Sequence, residues 1–255
     1  MSGNRGPLDE DGITDTEVLT DTRVADAGPV TSTARKSAPK LLTLQQASAT
    51  ARSLARNWLQ RIDSTMKNVE LLGWESPELS TFVSKKPAKP DDAYSAWTNS
   101  PVLIFINYEL APRRPDHMDV WLIAVLRHEA FHIEWFKGDP TETPPRPKGH
   151  PQTFLLGLEH EKNTYQRTAR WLEGGDATKL FETHVQKPIP VAARNEIKRI
   201  AAQQRAGCRG LEAALKQVMT LPSAAREDAA FAMFGFSSAL SQDLKTAMKQ
   251  LYNEP

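Results

Sequence analysis

The segment Val125-Leu126-Arg127-His128-Glu129-Ala130-Phe131-His132 constrains this chain more than any other, because it writes His-Glu-x-x-His into an apolar run. Asp116 as N-cap, Asp119 in the first turn, the run Val120 to Leu126 and a stop at Gly138 and Pro140 predict a single helix. On that helix His128 and His132 stand roughly 6 Å apart along the axis and ~40° apart around it, so both imidazoles reach one metal ion. Glu129 lies ~100° round from His128, off the metal axis but within reach of a water molecule held there, which makes it a candidate general base. Trp121, Val125, His132, Trp135 and Phe136 fall within ~80° of His128, so both histidines belong to the buried stripe. The plainer alternative is a pair of hydrogen-bonded core histidines, and a third ligand decides between the two.

Three protein ligands and a water form the usual catalytic zinc shell. No histidine follows at the short spacing of the Met-turn enzymes, which leaves Asp139, His150, Glu159, His160 and Glu161 as candidates. The last three sit in the run Phe154 to Leu172, which reads as one helix ended by Gly174-Gly175. Phe154, Leu158, Tyr165, Ala169 and Leu172 trace its apolar stripe. Glu161 falls inside that stripe, Glu159 well to one side, and His160 nearly opposite. An ionised carboxylate on a core-facing stripe is costly unless paired or metal-bound, which favours Glu161 as the third ligand. The alternative is an ion pair between Glu161 and Arg127 or another base.

His128-Glu129-x-x-His132, followed on a second helix by Glu161-Lys162-Asn163-Thr164-Tyr165, resembles the zincin metallopeptidases of the glutamate-ligand branch, which includes thermolysin and many bacterial effector and toxin peptidases. The second motif of that branch is a Glu followed, three and four residues later, by a small residue and then Asp or Tyr, here Thr164 and Tyr165. The resemblance covers about residues 100 to 173. It implies His128, His132 and Glu161 as ligands of Zn2+, Glu129 as base, and peptide hydrolysis as the reaction. It also implies that the strand upstream of the metal helix lies at a sheet edge, where substrate adds as a further strand.

The rest of the chain reads around this centre. Its 255 residues hold one ordinary core or two small ones, and a net charge of +1 gives no support for nucleic acid or an anionic membrane as partner. Residues 1–40 are rich in Asp, Thr, Ser, Gly and Pro and predict a disordered tail. No secretory signal opens the chain and no apolar run is long enough to cross a bilayer. The expectation is a cytoplasmic protein, or one exported without a signal peptide by a dedicated secretion or injection machinery that reads the tail. The lone Cys208 forms no internal disulfide and reads as a small buried hydrophobe, with a latency switch at the zinc as the sharper alternative.

From Thr43 a long amphipathic helix is predicted, with Leu44, Ala47, Ala51, Leu54, Trp58, Ile62, Met66 and Val69 as its stripe and Gly73 as its end. A short strand fits Ser80 to Ser84. Val102 to Leu110 makes the one convincing strand, its apolar continuity placing it between two covered faces. The proline-rich stretch Asp139 to Pro151 joins the two candidate metal helices. Beyond Gly175, helices are predicted near 178–185, 191–206, 210–220, 223–233 and 238–252. His184 and Tyr165 are candidate oxyanion stabilisers.

The fold expected is thus α+β and predominantly helical. It comprises a zincin-like catalytic core with a small sheet over 41–175 and a C-terminal helical bundle over 176–255 packed on it. The function expected is a zinc-dependent metallopeptidase acting on protein or peptide through a water held by the metal, with Glu129 as base. Two alternatives stay open: a non-enzymatic helical interaction protein whose histidines are core residues or hold a structural metal, and an amidase or endopeptidase acting on peptidoglycan.

Overall fold

The computed structural model describes residues 40–77, 96–139, 144 and 154–233. Thr43 and Gln46 form a capping box, each side chain accepting the other's backbone N–H, and start α1 (Leu44–Ile62). Ala47, Ala51, Ala55, Trp58 and Leu59 make its buried face. The helix stops well short of Gly73. Asp63 turns extended, and its side chain accepts the Thr65 N–H, capping a 3-10 turn (Ser64–Asn68) that leads into β1 (Glu70–Gly73). Met66 and Val69, expected on the helix stripe, are buried as expected but from the turn and its exit.

β2 (Ala96–Ser100) and β3 (Leu103–Ile106) complete a three-stranded sheet of order β1-β3-β2. β3 runs parallel to β1 and antiparallel to β2. The expected long strand is therefore shorter, with its last residues in a 3-10 turn (Tyr108–Leu110) closed by the Asn107 side chain. Its apolar run does mark burial, since Ile104, Phe105 and Ile106 are fully enclosed. The edge role is overturned: β3 has a partner on each side and offers no free ladder to an added strand.

α2 (Pro115–Phe136) carries the His-Glu-x-x-His motif. Arg114, not Asp116, is its N-cap; Pro115 sits at the first helical position, where its missing N–H costs nothing, and Asp116 pairs with Arg114 in the first turn. Gly138, at φ +75°, ends it. Met118, Val120 to Ala124, Leu126, Ala130, Ile133 and Trp135 are all buried, so α2 is enclosed on nearly every side.

α3 (Phe154–Glu173) is followed, through Gly175 at φ +93°, by α4 (Asp176–Val185). α5 (Val191–Met219) and α6 (Ser223–Met233) follow. α1, β2, α3, α4 and α5 all pack on α2, and α5 runs along α3. Two helices were expected where α5 stands, because Gly207 and Gly210 looked like a break. They continue the helix instead, and Gly207 has a packing reason to be there, given below. The described residues are thus predominantly helical with a small sheet, and all fall in one compact unit, Pro39–Pro255. None of their helices is long and apolar enough to cross a membrane. The tail over 1–39, the strand at 80–84, most of the stretch 139–151 with His150, and the helix at 238–252 lie outside the described residues.

Trp58 is fully buried at the α1–α2 interface and donates its indole N–H to Asp119 Oδ1 at 2.8 Å. Asp119→Ala leaves that donor buried without an acceptor and should destabilise the fold by about 1–3 kcal/mol. Asp119→Asn keeps an acceptor and should lose less; urea melts of the two variants measure the difference.

Candidate metal centre

His128 and His132 face the same way one turn apart on α2, their ring centroids 5.0 Å apart. Glu161 reaches them from α3. Its Oε1 lies 3.3 Å from His128 Nε2 and its Oε2 2.9 Å from His132 Nε2. Ligand atoms of the three residues all lie within 4.8 Å of one another, and among the described residues no other group of histidine, cysteine, aspartate or glutamate converges so. The cluster could hold a metal ion.

The surroundings of His128 fit that use. Its Nδ1 lies 3.3 Å from Gln204 Oε1 on α5 and 3.4 Å from Thr168 Oγ1 on α3. The Thr168 hydroxyl spends its proton on the Thr164 carbonyl, at 2.9 Å, so it offers only lone pairs to the ring. Both neighbours of Nδ1 are acceptors. Whenever the ring is neutral they favour the proton on Nδ1, which turns the lone pair of Nε2 towards Glu161. With both rings neutral and their Nε2 lone pairs turned inward, they and the carboxylate would repel one another, so the cluster needs either a cation among them or a protonated imidazole. The separations suit a metal, since a tetrahedral shell with bonds of about 2.0–2.1 Å has edges of about 3.3 Å.

Electrostatics divide the two glutamates. Burial would raise the Glu161 carboxyl, but the charge of His132 and the hydrogen bond and charge of His128 hold it well below the usual carboxylate range. Burial works against charging His128, yet the hydrogen bond and charge of Glu161, helped by Glu129, leave it raised. Glu129 behaves oppositely: only 4% exposed, it is pushed up by burial, against the pull of the two histidines. Its Oε2 is buried with no hydrogen-bond partner.

The one polar contact that the sheet gives Glu129 comes from the Thr98 N–H. β2 breaks register with β3 between Trp97 and Ser100. Such an irregularity frees a backbone donor from the ladder and re-aims it, here onto Glu129. The Thr98 hydroxyl donates to the Leu103 carbonyl and ties the irregularity back to β3. Sequence reading found neither Thr98 nor Gln204, because nothing local marks them.

The other candidates separate cleanly. Arg127 pairs with Glu134 at 2.9 Å and stacks on Phe131, so it is not the partner of Glu161. Asp139 lies beyond the end of α2, outside the cluster, and Glu159 is exposed as expected. His160 was expected on the solvent side, and that is wrong: it is 2% exposed, stacked on Trp135 at 4.2 Å and edge-on to His132 at 4.9 Å. Gly157, Thr164 and Thr168 are buried beside it. At ~100° per residue the buried arc of α3 runs from His160 to Ala169, with Glu161 near its middle. Burial and the nearby His132 push the His160 imidazole down to about 2, so it packs as a neutral ring. Tyr165 stands edge-on to His128, 4.8 Å between centroids. His184 packs against Trp58 instead, beside Asp119, roughly 14 Å along the helix axis from His128, and plays no part in this site. Cys208 is a half-buried free thiol on α5 and is not among the converging residues.

His160→Ala should therefore behave as a core truncation, costing about 2–4 kcal/mol in a chemical melt, whereas Glu159→Ala should stay within about 0.5 kcal/mol. Equal, small effects would place His160 on the surface after all.

Comparison of the chain with protein-family models, with curated proteins and with solved structures gave no match.

Proposed function

We propose that this chain is a zinc-dependent metallopeptidase of the kind its motifs resemble, with His128, His132 and Glu161 holding the ion and Glu129 as general base. The observation that carries the reading is the pairing of a converging His-His-Glu set with a second, buried carboxylate that has a free oxygen beside it. Core histidines need the first feature at most. They have no use for an uncompensated Glu129, whose burial costs free energy that packing alone would have removed by substitution of an apolar residue.

When bound, zinc supplies Lewis acidity, polarising the scissile carbonyl and making water acidic enough to attack near neutral pH. The protein supplies the rest. Glu129, raised by burial towards the working range of a base, takes the proton of the attacking water at Oε2 and hands it to the leaving amine nitrogen. The Thr98 N–H holds the carboxylate in place during the transfer. Of the two candidates for donating to the developing oxyanion, His184 is too remote, which leaves Tyr165 beside His128.

One observation favours a rival. Separations of 2.9 and 3.3 Å also suit direct hydrogen bonds between protonated histidines and Glu161, which would make the cluster a structural ion pair in a non-enzymatic protein. Substitution separates the two readings. Glu129→Gln should keep zinc at the wild-type stoichiometry while cleavage of a proteome-derived peptide library, read by mass spectrometry, falls on the order of 10²–10⁴-fold. Glu161→Ala should lose both zinc and cleavage. Wild-type cleavage by the Glu129→Gln variant would sink the mechanism, and a wild-type protein that takes up no zinc would leave the structural ion pair standing.

A further inference from the structure

Helix α5 lies outside the stretch that carries the metallopeptidase motifs, yet it reaches His128 by two routes. Gln204 places Oε1 3.3 Å from His128 Nδ1. Three residues on, Gly207 faces the Tyr165 ring so closely that a Cβ there would stand 2.6 Å from Cε1 and 2.7 Å from Cδ1. Tyr165 in turn lies edge-on against the His128 ring. Residues 204 and 207 are one turn apart on the same face of α5, so a single helix face meets His128 directly and through Tyr165.

We propose that α5 is the positioning element of the metal centre: Gln204 fixes the tautomer and orientation of His128, and Gly207 gives Tyr165 the room to close over the same ring. This rests on the reading that His128, His132 and Glu161 hold zinc. The physical argument is one of donor counting. An amide oxygen has no proton to give, and the Thr168 hydroxyl donates its own to the Thr164 carbonyl, so in the neutral ring the proton belongs on Nδ1 and the Nε2 lone pair faces the ligand set. Without Gln204, Thr168 Oγ1 at 3.4 Å is left as the acceptor for Nδ1, the preference for Nδ1–H weakens, and a larger fraction of the protein presents Nε2–H where a lone pair is needed. Gly207 is permitted inside α5, at a cost in helix propensity, because any side chain there would displace Tyr165.

The proposal makes the grip on metal depend on a helix far along the chain. Metal binding should also tighten the docking of α5 on α2 and α3, because the His128 orientation that α5 favours is the one that binds.

The test uses the full chain and zinc alone, its affinity measured by competition with a chromophoric chelator at fixed pH. Gln204→Leu, which keeps size and removes the acceptor, should weaken zinc binding on the order of 10–100-fold. Gln204→Glu restores an acceptor and should recover at least wild-type affinity. Gly207→Ala should weaken binding while helical content, read by circular dichroism, is kept or rises. The imidazole nitrogen shifts of His128 in the metal-free protein, taken at a pH high enough to leave the ring neutral, give a readout that mere packing would not move: the Nδ1–H tautomer in the wild type, a mixture in Gln204→Leu. Affinity within about two-fold of wild type for Gln204→Leu overturns the assignment, and equal losses in the Leu and Glu variants would reduce it to packing. His128→Ala is the control. If it binds zinc as the wild type does, the metal reading fails with the proposal; if it loses zinc while Gln204→Leu does not, only the proposal fails.

Discussion

A helix enclosed on nearly every side has to settle the account of each polar side chain it carries, and α2 carries Arg127, His128, Glu129 and His132 in a single turn and a half. Much of the surrounding structure answers that demand. Glu134 and Phe131 take Arg127, with Arg167 on the same ring. Glu161 takes the inner nitrogens of both histidines, and Gln204 with Thr168 takes the outer nitrogen of His128. Thr98 takes part of Glu129. Two buried atoms of these four residues are left over: Arg127 Nε, whose guanidinium is already paired through another nitrogen, and one carboxylate oxygen of Glu129, the residue beside the histidines. An interior that satisfies so much and leaves that oxygen free is arranged for chemistry in our reading, since unsatisfied buried groups cluster at functional sites.

Two glutamates within one site are driven apart by their neighbours alone. Glu161 sits between two imidazoles and stays ionised, as a ligand must. Glu129 sees mainly burial and is raised, as a base working near neutrality needs. Geometry divides the two environments: α3 brings Glu161 against the histidines of α2, and the irregular part of β2 meets Glu129, which in our proposal suits one carboxylate to metal and the other to protons.

Much of this was legible in the chain. The apolar run around His128 announced a buried helix, and the wheel on 154–172 singled out Glu161 over Glu159. His160 was misread because the stripe was drawn through apolar residues only, whereas α3 also buries Gly157, Thr164 and Thr168, which turns its true inner face towards His160. The sheet was half legible. Continuous apolar residues marked β3 as buried, but β1 is four residues long and pairs with a strand some thirty residues away, a non-local contact without local signature. Thr43 marked the start of α1 correctly, while Asp63 ended it early through a side-chain hydrogen bond that competes with the helix. Gly207 read as a breaker because its reason, the Tyr165 ring, comes from another helix. Gln204 had no signal at all: one polar residue on a half-exposed helix looks like any other.

The central claim is that one ion is held by two imidazole nitrogens and one carboxylate oxygen. X-ray absorption at the zinc edge, on wild-type protein loaded with one equivalent of zinc, reads that shell directly. The account predicts nitrogen and oxygen scatterers at about 2.0–2.2 Å, outer-shell features of two imidazoles, and no sulfur. A sulfur scatterer at about 2.3 Å would put Cys208 in the shell, and a spectrum of hydrated zinc would mean that His128, His132 and Glu161 hold each other and no metal.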